Sequence, residues 1–199
     1  MISSYLENKQ LYSEKFIEEK CLHLYEKGEI ISLNSGGIWE VYQGFVELRS
    51  ITITGEEVLV GWAKSGVFFG SYLTNLEVCE ARALSEVYLK WYPWHEIDSV
   101  PNLTHKVLHQ IIPRMRQIEA LLSISGMRRV EDRLLELLNL LKQEIGENVP
   151  SGVRLGVRLT HQNLANAINT TRVTVTRLLG HFQRQGIIQL DENRHIILV

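Results

Sequence analysis

At 199 residues, 45% apolar and with a formal charge of −2, the chain carries enough apolar surface for packed cores in one or two domains and too much for a disordered polyelectrolyte. No run approaches the length of a membrane span, and the opening MISSYLENKQLYSEKF lacks the apolar core of a signal peptide, so a cytoplasmic protein with no membrane contact is expected. Cys21 and Cys79 lie far apart in apolar, strand-like runs; they read as buried, inert thiols and fall short of the ligand set of an iron–sulfur cluster.

Residues 2 to 20 are polar, with Tyr5, Leu6, Leu11, Tyr12, Phe16 and Ile17 scattered among them, a pattern compatible with one or two short helices. From Cys21 to about Ile97 the chain changes to short alternating or β-branched runs: CLHLY, EIISL, IWEVYQGFVELRSITI, EEVLVGWAK, GVFFG and ARALSEVYLKWY. Glycines 28, 36, 37, 55, 66 and 70 punctuate them, which indicates an antiparallel sandwich or roll.

Pro101 opens the next segment, where Leu108, Ile111, Met115, Ile118 and Leu122 recur at alternating spacings of three and four. That is the seam period of a coiled coil, so these five side chains are assigned to dimerisation. A helix lying on its own β-domain is the other reading, and Ile112 and Leu121, flanking the seam, suit that intramolecular contact. Ser123 to Gly126 is expected to be a break or hinge. MRRVEDRLLELLNLLKQEIG then reads as a helix that buries Val130, Leu134, Leu137, Leu138, Leu141 and Ile145, and Gly146 to Gly156 as a loop or extended connection.

The stretch LTHQNLANAINTTRVTVTRLLGHFQRQGIIQL, Leu159 to Leu190, predicts two short helices and a tight turn. Thr160 is placed to cap a helix from His161 to about Ile168. Asn169 suits the left-handed backbone of the turn, and Thr171 is placed to cap a second helix from Arg172 to about Gln185. Val175, Leu178, Leu179 and Phe182 then face inward, leaving Arg172, Val173, Thr176 and Arg177 to water. The β-branched run Val173 to Thr176 has poor helix propensity, but the cap and the inward stripe outweigh it. Two β-rich runs, Ile187 to Leu190 and His195 to Val199, flank the polar turn 191–194 as a candidate wing. Two amphipathic helices of an ordinary small domain are the plainer alternative.

Charge favours the first reading. From Ser151 onward six arginines face two acids, a net +4, whereas the remainder carries −6. A basic terminal module on an acidic body points to a nucleic-acid contact confined to that module.

The order of roll, long helix, hinge, helix and winged helix-turn-helix, with TTRVTVTRLLGHFQRQGII, resembles the cyclic-AMP receptor and fumarate-nitrate regulator (Crp/Fnr) family of bacterial transcription factors. The resemblance is most specific at TRVTVTRLLG, which is similar to the recognition helix of the cyanobacterial global nitrogen regulators within that family. Weaker matches are VYQGFVELR and GVFFG.

It implies an α+β chain in three parts: an N-terminal antiparallel β-roll (jelly roll, 1–99), a long dimerisation helix (100–125) and a C-terminal winged helix-turn-helix (126–199). It also implies a homodimer on double-stranded DNA that places two recognition helices in successive major grooves of a palindrome, and a contact with RNA polymerase. Arg172 and Arg177 match base-reading positions, in keeping with arginine's bidentate fit to guanine, and Val173 suits a thymine methyl. A GTA-type half-site is expected. Thr160, His161, Gln162, Thr171, Thr174, Thr176 and Arg184 are candidates for phosphate contact or backbone positioning, or simply for capping and solvent exposure.

For the effector, the family's cyclic-nucleotide Gly-Glu pair appears as Gly70 and Ser71, and its phosphate arginine has no counterpart before Arg82. Burying a phosphate without a cation is costly, which argues against cyclic AMP. Arg114 and Glu119 match helix positions beside the 2-oxoglutarate site of the nitrogen regulators, so that ligand is one reading; a solvated pair, or an ion pair across the dimer seam, is the other. The short NSGGIW stretch predicts a reduced or filled pocket. No cofactor or metal is expected, because His23, His95, His105 and His109 form no ligand pattern for haem, and a cupin-like enzyme needs histidines converging within the roll. A dimeric adaptor that binds protein through its roll is the remaining class.

Overall fold

The computed structural model describes residues 22–33, 36–76 and 79–199. The N-terminal stretch read as short helices, and Cys21 with it, lie outside the described residues.

Eight strands build the roll: β1 Leu22–Tyr25, β2 Ile30–Ile31, β3 Gly37–Gln43, β4 Phe45–Ile51, β5 Glu57–Lys64, β6 Phe68–Phe69, β7 Cys79–Ala83 and β8 Val87–Pro93. They form two antiparallel sheets, ordered β1-β8-β3-β6 and β2-β7-β4-β5. Trp39, Val41, Val46, Leu48, Phe69, Ala81 and Leu89 are buried together in a shared core. Two runs that read as single strands each split between the sheets. The first breaks at Gly44, whose φ of 104° takes the chain from β3 into β4; a Cβ there would stand 2.4 Å from the Glu86 carbonyl, so the corner requires glycine. The second breaks after Ala83, between β7 and β8. The sheet also ends earlier than expected: Trp94–Ser99 is a helix, α1, started by Pro93 in an extended conformation.

Helix α2, Pro101–Gly126, carries its proline at the first turn, where the missing N–H costs nothing. It buries Leu103, Val107, Gln117, Leu121 and Ile124. Leu121 makes the intramolecular contact expected of it. Ile112 does not, being 54% exposed. The expected hinge at Ser123 to Gly126 is displaced: α2 runs unbroken through Gly126, and the chain turns at 127–129 before α3, Val130–Ile145. Small residues at the end of a helix do not break it while the apolar stripe, here Leu121 and Ile124, continues to pack.

Gly146 to Gly156 is not a plain connection either. It folds as a hairpin, β9 Gly146–Val149 and β10 Gly152–Leu155. Two short helices follow, α4 His161–Ala167 and α5 Arg172–Arg184, then β11 Ile188–Leu190 and β12 Ile196–Leu198. The hairpin supplies half of a four-stranded sheet ordered β11-β12-β10-β9, so the wing is anchored through β12, which pairs with β10. One core cluster unites Leu134, Leu138, Leu164, Val175 and Phe182 of the helices with Phe45 and Trp62 of the roll. No described helix is long and apolar enough to cross a membrane.

Candidate nucleic-acid interface

Helix α4 begins with a reciprocal cap. The Thr160 hydroxyl accepts from the Asn163 backbone N–H at 3.1 Å, and Asn163 Oδ1 accepts from the Thr160 backbone N–H at 3.0 Å. Asn169, at φ 50°, makes the left-handed turn, and Thr171 caps α5 by accepting from the Thr174 N–H at 3.2 Å. Val175, Leu178, Leu179 and Phe182 are buried, as the spacing predicts. On the opposite face Arg172, Thr176 and Arg177 are exposed, and Val173, an apolar side chain, is 77% exposed. The two ends of this set, Arg172 and Arg177, lie little more than one helical turn apart, which fits the span of adjacent base pairs.

The two helices are fixed to each other by a polar pair. His161 Nδ1 lies 2.7 Å from Thr176 Oγ1, while the Thr176 hydroxyl donates to the Arg172 carbonyl at 2.9 Å. With that hydrogen committed, the imidazole donates from Nδ1 and leaves Nε2 as its free acceptor. Burial, followed by the charge of Arg172, pulls the His161 pKa below its ordinary value.

A groove between α4, α5 and the wing collects Thr160, His161, Gln162, Arg172 and Thr176, all expected from the sequence. Arg158 and Arg194 join them and were counted before only as charge. Arg194 sits at φ 62° in the wing turn, where Asp191 Oδ1 accepts from the His195 N–H at 2.7 Å. Val173, Thr174 and Arg177 lie outside the groove's lining, farther around α5, and Arg184 is exposed in its last turn. Thr160, Thr171 and Thr174 have hydroxyls engaged in caps: Thr171 Oγ1 and Thr174 Oγ1 are 2.9 Å apart.

Sequence reasoning missed how the module is held to the roll. Asn166 Oδ1 accepts from Gln162 at 2.6 Å and its Nδ2 donates to Glu57 at 2.9 Å. Glu57 in turn meets the buried Arg49 at 2.7 Å, and Arg49 also meets Glu80 at 2.7 Å. Asn163 hydrogen-bonds the Glu47 carboxyl, whose pKa burial raises despite the nearby Arg49. Lys27 Nζ donates to the Arg158 carbonyl at 3.0 Å. Thr-x-x-Asn at a helix start was the one available signal, and it marks the cap rather than the contact.

The five seam side chains share one face of α2, with exposures from 40% at Ile111 to 72% at Leu122. Beneath them a cavity of about 450 Å³ opens between α2 and the roll, where a reduced or filled pocket was expected. Gly70 and Arg114 reach this cavity; Ser71 and Glu119 are not in its lining. Arg114 is not a solvated surface group: its Nη1 donates to Gln117 Oε1 at 2.6 Å and its Nη2 to the Val60 carbonyl at 3.4 Å. Gln117 Oε1 also accepts from the Trp62 N–H at 2.8 Å. Cys79 is a free, half-buried thiol in the cavity wall rather than a core residue. His105 and His109 pack edge to face at 4.3 Å on α2, and no group of three or more metal-binding side chains occurs among the described residues.

Residues 128–199 match the Crp-like helix-turn-helix domain. The chain is 30% identical over 182 residues to the global nitrogen regulator of Synechococcus elongatus, covering 85% of this chain and 82% of that protein. It is 29% identical over 163 residues to the regulatory protein CysR of the same organism, covering 80% and 75%. In fold it is similar to a CRP/FNR-family transcriptional regulator of Thermus thermophilus, with a TM-score of 0.71 over 89% of this chain and 93% of that one at 22% identity. With a capped recognition helix, a basic groove beside it and a likeness that runs through roll and helices alike, the chain belongs to the CRP/FNR family of DNA-binding transcription regulators.

Proposed function

We propose that the chain works as a homodimer, joined along α2, that reads a palindromic DNA site with Arg172, Val173 and Arg177 of each protomer. The observation that carries this reading is the exposed seam. Leu108, Ile111, Met115, Ile118 and Leu122 present an apolar stripe on a 26-residue helix whose other face is already packed. A stripe at coiled-coil spacing is self-complementary about a two-fold axis, so a second copy of the same helix covers it.

Two recognition helices related by that axis meet inverted half-sites, and Arg172 and Arg177 take guanines while Val173 meets a thymine methyl, giving a GTA-type half-site with a TAC partner. Thr171, Thr174 and Thr176 shape the helix start. Thr160, His161 and Gln162, joined by Arg158 and Arg194, line the groove that meets the phosphates, and Arg184 reaches the backbone from the far end of α5. The regulator acts in the cytoplasm, performs no catalytic step and contacts RNA polymerase from its DNA site.

Signals enter at the cavity under the seam, because Ile111, Met115 and Ile118 line the cavity and the seam alike. Their packing is set by what lies on both sides, and the turn at 127–129 passes the change on to the DNA module. Of the two ligands considered from the sequence, neither cyclic AMP nor 2-oxoglutarate suits walls that are chiefly apolar.

Sedimentation velocity with a labelled duplex tests the reading. A dimer on a two-half-site duplex, and at least about tenfold weaker binding to a single half-site, is expected when both modules engage. A monomer that binds both duplexes equally contradicts it.

A further inference from the structure

We infer that DNA binding by this chain takes up a proton at His161 of each protomer: a backbone phosphate entering the groove between α4, α5 and the wing is met by the imidazolium, so affinity rises as pH falls. The inference rests on the reading of that groove as the face that meets the phosphates.

The hydrogen bonds around the imidazole carry it. His161 Nδ1 lies 2.7 Å from Thr176 Oγ1, and the single hydroxyl hydrogen of Thr176 is already given to the Arg172 carbonyl at 2.9 Å. Two lone pairs do not face each other at that distance, so Nδ1 carries the proton of the neutral ring and Nε2 the lone pair. Among the described residues Nε2 makes no hydrogen bond. The ring is thus held in the tautomer that offers a phosphate an acceptor, and two acceptors repel. A second proton, on Nε2, turns the same edge into a charge-assisted donor and leaves the bond to Thr176 in place.

The surroundings set the direction. Three charged side chains line the groove with His161: Arg158 from the segment before α4, Arg172 from α5 and Arg194 from the wing turn. Among the described residues no carboxylate joins them in that lining. In the free chain burial first, and then the charge of Arg172, keep the ring neutral by holding its pKa below the ordinary value of 6.5. A phosphate reverses that balance, because it offsets the arginines and sets an anion beside Nε2, and both effects favour imidazolium. A phosphodiester has no proton of its own to give near neutral pH, so the proton comes from solvent.

A group whose pKa is higher in the complex than in the free chain strengthens binding as pH falls between the two values, by at most about tenfold per pH unit in each protomer. A His161 that served only to pack the module gives no such rise.

Anisotropy titration of the full chain on a GTA–TAC palindrome at fixed salt, beside His161→Gln, tests the inference. From about pH 8 to about pH 6 the affinity of the natural chain is expected to rise at least about tenfold, and that of the variant, whose amide needs no added proton to donate, less than about threefold. The readout is the slope, whatever the variant's affinity at any one pH. Calorimetry of the natural chain near pH 7, in two buffers of different ionisation enthalpy, is expected to show net proton uptake on binding and stands even if the variant fails to fold. Equal slopes, no net uptake or net release overturns the inference and leaves the DNA reading intact. No binding of the palindrome at any pH overturns the DNA reading itself.

Discussion

Asn166 in the first helix of the DNA module donates its side-chain amide to Glu57 at the start of β5 at 2.9 Å, across 109 residues of sequence. The same asparagine accepts from Gln162, and the same glutamate neutralises the buried Arg49. The module's position on the roll is therefore written into a hydrogen-bonded chain that runs from a helix turn to the interior of a sheet, with the shared core of Phe45, Trp62 and Leu164 beneath it.

Breaking that chain has a size. Asn166→Ala removes one donor from a half-buried carboxylate and is expected to cost about 1 kcal/mol in urea unfolding. Asn166→Asp removes the donor and adds a like charge, for about 2 kcal/mol or more. Equal stability of the two variants would mean that water already replaces the amide.

The side chains proposed to read bases, Arg172, Val173 and Arg177, are exposed, so their removal is expected to leave the fold alone. Arg177→Ala is expected to cost about 1–3 kcal/mol on the palindrome and to relax base preference at one position per half-site, while unfolding stays unchanged. Fluorescence anisotropy on the site and on single-base variants checks both. A loss of the same size on every duplex would make Arg177 a phosphate contact.

The seam is tested best outside the cavity. Leu122 is 72% exposed and does not line it, so Leu122→Asp is expected to leave the protomer folded and shift sedimentation from dimer to monomer. A dimer that persists with an aspartate on each copy of that stripe would place the interface elsewhere.

His161 gives a pH dependence with a definite sign. Its pKa is lower in the folded chain than the ordinary value of 6.5. The unfolded chain therefore takes up its proton first as pH falls, and stability is lost from about 6.5 downward through the folded value. Above that window both states are neutral and the contribution is complete. The melting temperature is expected to fall more between pH 7.5 and 5.5 for the natural chain than for His161→Gln; identical slopes would detach the effect from this residue.

Much of this was legible in the sequence because it is local. The caps at Thr160 and Thr171, the left-handed Asn169 and the inward stripe from Val175 to Phe182 depend on residues within two helical turns, and their pattern prevails over the strand propensity of Val173 to Thr176. The strands of the roll were legible, but their division between sheets at Gly44 was not, because a glycine within an apolar run marks a corner only once Glu86 is known to lie behind it. The hairpin at β9 and β10 escaped notice since its short strands gain their stability from pairing with β12. Arg114 is the clearest case of a long-range cause: helical spacing places it beside the seam, but only Gly61, on a distant strand, allows its guanidinium to turn inward. Of the reduced or filled pocket expected, the filled alternative is not what forms, since shortening one loop does not close a cavity walled by α2 and by residues from β4 through β7.

The most direct test of a dimer that reads a palindrome is selection of bound DNA from a random library with the purified full chain. The account predicts an inverted repeat whose half-sites carry GTA and TAC, lost on Arg172→Ala or Arg177→Ala. Recovery of a TGTGA core would contradict the base assignment, and no enrichment of any repeat would contradict the dimer reading as a whole.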